Sequence, residues 1–132
     1  MIKEDYVSFE TAKLLKEKGF DENPHMWYTV WGELGEYDIT DRGRRPELYI
    51  NAPTLQMAMK WLREVYGVFI SICNGNHKAD NRDTITPDNV YCFFVITDAR
   101  ALYEEKKQCL KEFSSYEDAS EAAIKYCLEK LI

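Results

Sequence analysis

Glycine, proline and long apolar runs are scarce in this sequence. Six glycines and four prolines in 132 residues are too few for a linker or a collagen-like repeat. No apolar run approaches the roughly 18 residues that a membrane-spanning helix needs. At the same time, 45% of the residues are hydrophobic, which is too many for a disordered chain. The composition therefore predicts one soluble domain over residues 1–132, without a membrane segment.

The sequence also lacks closely spaced cysteines and a secretion signal. No two cysteines form a Cys-x-x-Cys pair, since they lie far apart at Cys73, Cys92, Cys109 and Cys127. Residues 1–5 have neither the positive start nor the apolar stretch of a signal peptide. We therefore expect a cytoplasmic protein whose cysteines are free thiols, packed as small hydrophobic side chains.

The first part of the chain predicts one helix and three short strands. Ser8 is suited to cap a helix that begins at Phe9, and Gly19 supplies a left-handed stop. Aromatic and β-branched residues then favour strands at 26–31, 36–39 and 47–50. Two glycines predict a turn after the first strand, and residues 41–46 predict a second turn, so that the three strands form a meander.

The middle of the chain predicts a helix followed by two buried strands. Thr54 caps the helix, which begins at Leu55 with a wide apolar stripe and ends at Gly67. Residues 68–73 and 90–97 are apolar on both faces, which is typical of strands near the centre of a sheet. Residues 74–89 between them have almost nothing to bury, and such a long loop is either functional or mobile.

The last third contains one segment that the pattern leaves open. Residues 99–113 carry a helical apolar stripe, and propensity favours a helix, but a strand paired back onto 90–97 is the alternative. After this segment, Ser115 and Asp118 resemble a capping box, and the alanines that follow predict a closing helix.

Together these elements predict an α+β fold, with a mainly antiparallel sheet of four to six strands and two or three helices packed on one face. The step from Glu47 to Cys73 contains a strand, a helix and a second strand. It is long enough for a right-handed crossover, which would make one strand pair parallel.

Two helical segments resemble a group of small α+β proteins. They are residues 53–65, Pro-Thr-Leu-Gln-Met-Ala-Met-Lys-Trp-Leu-Arg-Glu-Val, and residues 115–129, which begin Ser-Tyr-Glu-Asp-Ala. The group is encoded in gut Bacteroidetes genomes, often within phage or other mobile elements. The resemblance implies a mobile-element context and a strand before the final helix, and it brings no activity with it.

One loop collects residues that could bind a metal or act in catalysis. Cys73, His77 and Asp80 offer a thiol, an imidazole and a carboxylate, which are ligand types of zinc. A zinc site normally has a second Cys or His pair, and His25 is the only other histidine. A cysteine at a strand end, followed by a solvated loop, is the simpler interpretation. As a nucleophile, Cys73 would need His77 to fold back as its base.

A second candidate site is a basic turn among aromatic residues. The basic residues are Arg42, Arg44 and Arg45, and together they could hold phosphate while aromatic rings stack on bases. Four aromatic residues of the predicted meander lie near them: Trp27, Trp31, Tyr37 and Tyr49. Acidic neighbours and the net charge of −6, from 23 acidic and 17 basic residues, oppose nucleic-acid binding.

The missing catalytic motif and an aromatic content of 14% favour a non-enzymatic accessory protein of phage or mobile-element origin, acting through a protein-binding surface. Its partner would be an unknown protein or a second copy in a homodimer, and no cofactor is expected. The first alternative is a nucleic-acid-binding module that uses the three arginines. The second is a small metal- or thiol-dependent hydrolase around Cys73 and His77, so the sequence leaves open whether the protein is an enzyme.

Overall fold

The computed structural model describes residues 2–22, 24–37, 39–76, 90–100, 105–108 and 111–132. Within these ranges the chain forms four α-helices and six strands, and the strands make two antiparallel sheets of three. The elements follow one another as α1 (Phe9–Glu17), β1 (Trp27–Thr29), β2 (Leu34–Gly35), α2 (Ile39–Arg44), β3 (Tyr49–Asn51), α3 (Leu55–Tyr66), β4 (Val68–Asn76), β5 (Val90–Asp98), β6 (Glu105–Gln108) and α4 (Tyr116–Tyr126). A 3₁₀ turn at Pro46–Leu48 precedes β3, and a π-helical turn at Cys127–Leu131 continues α4.

The two sheets have the strand orders β2-β1-β3 and β4-β5-β6, and every described strand pair is antiparallel. The α+β prediction is confirmed, whereas the single sheet of four to six strands is wrong. The predicted parallel crossover is also wrong, because β3 pairs with β1, at Ile50 and Tyr28, while β4 pairs with β5. Helix α3 thus leads from one sheet to the other instead of returning the chain to the same sheet.

The first sheet differs from the predicted meander. Gly32, at φ 89°, lies in a tight turn in which its N–H donates to the Thr29 carbonyl over 2.9 Å. Because this turn is so short, β2 forms at Leu34–Gly35, and the strand predicted at 36–39 is wrong. Helix α2 and the 3₁₀ turn replace the simple turn predicted at 41–46, and β1 lies at the centre of the sheet.

The predicted helix caps are confirmed. In three helices a hydroxyl oxygen at the N-cap accepts a hydrogen bond from the backbone N–H three residues later, over 3.0 to 3.2 Å. Such a bond satisfies an N–H that the helix itself leaves unpaired. Gly67 ends α3 in the left-handed conformation, at φ 67°. The three capping pairs are Ser8 with Thr11, Thr54 with Met57, and Ser115 with Asp118.

The segment that the sequence leaves open contains a strand. Residues Glu105–Gln108 form β6, which pairs with residues 95–98 of β5. The strand alternative is confirmed there, and the helix favoured by propensity is wrong. The edge of β5 offers backbone hydrogen-bond partners, and this tertiary pairing outweighs the helix propensity of glutamate, lysine and glutamine. Residues 101–104 and 109–110 lie outside the described residues.

Helices α3 and α4 cover one face of the second sheet. Val68 on β4, with Phe94 and Ile96 on β5, is buried there in one core cluster with side chains of both helices. Ile70 and Ile72 are half-buried against the same cluster. We call this side of the second sheet the inner face.

Polar contacts hold helix α1 against α4. Glu121 Oε1 on α4 accepts a hydrogen bond from the Ser8 backbone N–H over 3.1 Å and another from the Thr11 hydroxyl over 2.6 Å. One turn further along α4, Lys125 Nζ lies 2.9 Å from a carboxylate oxygen of Glu10. Glu121 thereby takes the part of the glutamate in a capping box, although it belongs to a different helix.

Candidate interaction surface

The second sheet has a face that the core does not use. Side chains alternate between the two sides of a strand, and cross-strand partners share a side. Among the described side chains of β4 and β5, none opposite the inner face belongs to the core cluster. We call this side the outer face and define it by Phe69, Ser71, Cys73, Gly75, Tyr91, Phe93, Val95 and Thr97, which pair across β4 and β5.

Apolar side chains form a continuous strip along the outer face. Phe69 is 44% exposed, while Cys73, Phe93 and Val95 are half-buried. Cys73 and Phe93 are direct cross-strand partners, and the rings of Tyr91 and Phe93 lie 6.2 Å apart between their centroids. The strip therefore offers aromatic surface over much of the length of the strand pair.

Gly75 and Tyr91 form a close pair at one end of this strip. They are cross-strand partners, and a Cβ atom at position 75 would collide with the Tyr91 ring. The ring therefore lies across β4 in the space that a side chain would occupy, as aromatic residues do next to glycines in sheets. This contact extends the aromatic surface from β5 onto β4.

The residues of the predicted metal or thiol site are described only in part. Cys73 is half-buried on the outer face, whereas His77 and Asp80 lie outside the described residues. Over the described ranges, no three His, Cys, Asp or Glu side chains are grouped so that they could hold a metal ion. A site formed by Cys73, His77 and Asp80 stays a prediction.

A second thiol, that of Cys127, is a core group. Its side chain is fully buried beneath the second sheet, next to α4. Burial, with a smaller contribution from the Asp98 carboxylate, raises the pKa of the Cys127 thiol to about 12. Because the thiolate is the reactive form, Cys127 is poorly suited to act as a nucleophile.

The predicted basic turn lies in and after helix α2, and its arginines have different surroundings. The Arg42 guanidinium stacks 3.5 Å from the centroid of the Trp27 ring, and its Nε donates to the Tyr37 carbonyl over 3.1 Å. Arg44 and Arg45 are exposed. Arg42 therefore stabilises the local fold, and only the other two of the three predicted residues point to solvent.

The aromatic residues around this turn are also divided. Trp27 is buried, and Tyr37 and Tyr49 face each other with ring centroids 5.0 Å apart. Trp31, in the turn after β1, is 74% exposed. The structure thus leaves one of the four predicted aromatic residues largely open to solvent, and nucleic-acid binding by Arg42, Arg44 and Arg45 stays a prediction.

A cleft of about 450 Å³ lies between the end of α1 and β3. Its polar lining includes Lys16, Asp21 and Asn51. The Asn51 amide is already engaged, because Oδ1 accepts from Trp27 Nε1 over 3.0 Å and Nδ2 donates to the Glu22 carbonyl over 2.9 Å. This amide therefore stabilises the first sheet.

The sequence pattern of β4 and β5 indicates the outer face, although the prediction made from it was burial on both faces. Their apolar character on both sides predicted burial on both sides. The structure buries Val68, Phe94 and Ile96 on the inner face only, so Phe69, Tyr91 and Phe93 were missed as surface residues. The sequence feature that could have indicated this surface is the set of three aromatic residues on the second side of the strand pair.

Comparisons with known proteins place this chain in no group. No protein family, no curated protein and no solved structure matches it. The resemblance to small proteins of gut Bacteroidetes and their mobile elements therefore stays a prediction. Over the part of the chain that the structure describes, the helices are too short or too polar to cross a bilayer.

Proposed function

We propose that this protein is a non-enzymatic accessory protein that binds another protein through the outer face. The observation that carries the proposal is the strip of Phe69, Tyr91 and Phe93 on a sheet whose other face is already packed on the core. Covering such an apolar strip with a partner removes it from water, which is favourable. A phage or mobile-element origin is supported by the resemblance of residues 53–65 and 115–129.

The residue types on the outer face suit a protein partner. None of its eight residues on β4 and β5 is charged, and three of them are aromatic: Phe69, Tyr91 and Phe93. The centres of protein interfaces are enriched in aromatic residues and depleted of charge. A phosphate backbone would instead require positive charges on the face that binds it.

The strand pair beneath this surface gives it a fixed shape. Strands β4 and β5 are paired residue by residue from Val68 with Asp98 to Asn76 with Val90. Their inner face is packed against α3 and α4. A surface that is formed before binding loses little conformational entropy when a partner docks, so more of the contact energy is available for affinity.

Among the described residues, the shifted ionisable groups have structural causes. The hydrogen-bonded ion pair of Glu10 and Lys125 lowers the pKa of the glutamate and raises that of the lysine. The Arg100 guanidinium, hydrogen-bonded to Asp98, lowers the pKa of that carboxyl, and burial raises the pKa of Cys127. These shifts come from surface ion pairs and core packing, whereas catalytic groups with shifted pKa values cluster in a cleft.

A comparison of two threonine substitutions tests the proposal. Phe93→Thr removes a ring from the outer face and keeps a residue that favours strands. The control, Val65→Thr, changes a 58% exposed residue on α3, on the other side of the sheet. Wild type and both variants are immobilised, and the proteins they recover from a lysate of the native host are quantified by mass spectrometry. We expect a protein that wild type and Val65→Thr recover and that Phe93→Thr loses by at least roughly tenfold.

The same set of recovered proteins for all three baits would overturn the proposal. Circular dichroism and an unfolding curve show whether Phe93→Thr is folded. Phe69→Thr provides a second variant for the same comparison, because this residue is already 44% exposed and its substitution leaves the core intact.

A further inference from the structure

We propose that the partner of the second sheet is a second copy of this chain, which pairs with β4 edge to edge and antiparallel. The two sheets then join into one of six strands, and their outer faces become continuous. This inference goes beyond the proposed function, because it uses the edge of the second sheet instead of its outer face, and it names the partner and the register.

The backbone of β4 presents a regular set of hydrogen-bonding groups at the edge of the sheet. Cys92 exchanges two backbone hydrogen bonds with Phe113, both over 2.8 Å, so its backbone groups point away from β4. Its cross-strand partner Asn74 is therefore in a pair without hydrogen bonds, and the Asn74 backbone points away from β5. By the same alternation, the backbone groups of Ile70 and Ile72 point outwards too.

These outward groups have no partner within the described part of the chain. Strand β4 is at the end of the order β4-β5-β6. No backbone hydrogen bond joins Ile70, Ile72 or Asn74 to another described residue on the side away from β5. A row of unpaired N–H and C=O groups at a sheet edge is a template for another strand.

The composition of β4 does not protect this edge. Its residues, Val-Phe-Ile-Ser-Ile-Cys-Asn-Gly-Asn, include no charge and no proline. Proteins usually block pairing at an edge strand with lysine, proline or a bulge. At the opposite end of the sheet, β6 has the sequence Glu-Lys-Lys-Gln and is charged at three of its four residues. The two edges thus differ in the way expected if only β4 accepts another strand.

The pattern of β4 also suits pairing with itself. The residues whose backbone groups point away from β5 are spaced symmetrically about Ile72. A twofold axis at Ile72 therefore pairs Ile70 with Asn74 of the second copy. In this register Phe69 lies opposite Gly75 of the second copy. The Tyr91 ring of that copy covers its Gly75, so Phe69 meets an aromatic ring there, and no like charges meet because β4 is uncharged.

A proline substitution tests the edge contact. Asn74→Pro removes an N–H that no described residue accepts, and it places a ring at the edge, where proline is tolerated within a sheet. Asn74→Ala is the matched control, because it keeps the N–H. The molecular mass of the purified full chain is measured by sedimentation equilibrium over a range of concentrations. A reducing agent keeps the Cys73 thiols of two copies from forming a disulfide.

We expect wild type and Asn74→Ala to approach twice the monomer mass of 15.5 kDa. Asn74→Pro should raise the dissociation constant of the dimer at least roughly tenfold, because two symmetry-related hydrogen bonds are lost. Amide exchange at Ile70 and Ile72 should slow as the wild-type concentration rises.

Two results would overturn the inference: a wild-type mass of one chain at every concentration, or a dimer that Asn74→Pro does not weaken. Neither result depends on the lysate experiment. A monomeric chain that still recovers a protein through Phe93 would remove the self-pairing and leave the proposed function intact. Circular dichroism shows whether Asn74→Pro is folded.

Discussion

The two sheets of this protein are stabilised in different ways. In the first sheet the strands have two or three residues, and side chains complete the structure. Trp27 donates from its indole N–H to Asn51, and the Tyr28 hydroxyl donates to the Val7 carbonyl over 2.7 Å. In the second sheet, β4 and β5 have nine residues each, and the backbone ladder itself joins them.

This difference determines which sheet can take on another task. Short strands make few ladder bonds, so their polar side chains are used to hold the sheet together. Long strands are joined by their backbone ladder without help from side chains, and they need only one covered face. Over the described residues, the second sheet therefore keeps a face and an edge available, whereas Trp27, Tyr28 and Asn51 of the first sheet stabilise the fold.

The largest expected effect is a difference in the free energy of unfolding between substitutions on the two faces of the second sheet. Ile96 on the inner face is 1% exposed, and its neighbour Val95 on the outer face is half-buried. We expect Ile96→Ala to lower the free energy of unfolding by about 3 kcal/mol because it leaves a cavity in the core. Val95→Ala should cost less than about 1 kcal/mol. Urea unfolding measures both values, and equal losses would contradict the division into two faces.

A smaller difference in the free energy of unfolding is expected when one asparagine in each sheet is replaced by alanine. Asn51→Ala leaves the buried indole N–H of Trp27 without its acceptor, and we expect a loss of about 2 kcal/mol in the free energy of unfolding. Asn74→Ala in the second sheet removes an exposed side chain and should cost less than about 0.5 kcal/mol. If the two variants unfold at the same urea concentration, side-chain hydrogen bonds do not distinguish the two sheets.

The smallest effect concerns the stability of the core beneath the second sheet at high pH. The Cys127 thiol has a pKa of 9.0 when exposed and about 12 in the fold, mainly because of burial. The unfolded chain therefore loses this proton first, and stability that is complete below pH 9 is lost as the pH rises towards 12. The expected loss is about 1 kcal/mol at pH 10.

Cys127→Ala is the control for this prediction. The variant lacks the thiol, so its free energy of unfolding should fall less steeply between pH 9 and pH 10 than that of wild type. Urea unfolding at a series of pH values measures both slopes. Identical slopes would show that burial of this thiol does not couple stability to pH.

Local features of the fold were predictable from the sequence, because they depend on neighbouring residues. Ser8, Thr54 and Ser115 cap helices through an N–H three residues away, and Gly67 ends α3 through its own backbone conformation. The division into two sheets was not predictable in this way. It depends on β3 pairing with β1 and β4 pairing with β5, and a short strand pattern does not specify its partner.

The candidate surface could be predicted only in part for the same reason. The alternation in 68–73 predicts that the Phe69 and Val68 side chains lie on different faces of the strand, and this is confirmed. Whether the second side is covered depends on which helices pack there, and both α3 and α4 pack on the inner face. Likewise, the arginines were predicted next to aromatic residues, but the stacking of Arg42 on Trp27 depends on where α2 meets β1.

The contact between Ser8 and Glu121 has a consequence for synthesis on the ribosome. The first turn of α1 is completed by a carboxylate 113 positions later, so the helix emerges long before its partner exists. A nine-residue helix is marginal in water by itself. We therefore expect α1 to become ordered late, when α4 docks. Arrested nascent chains that stop before residue 121 should show fast amide exchange throughout α1.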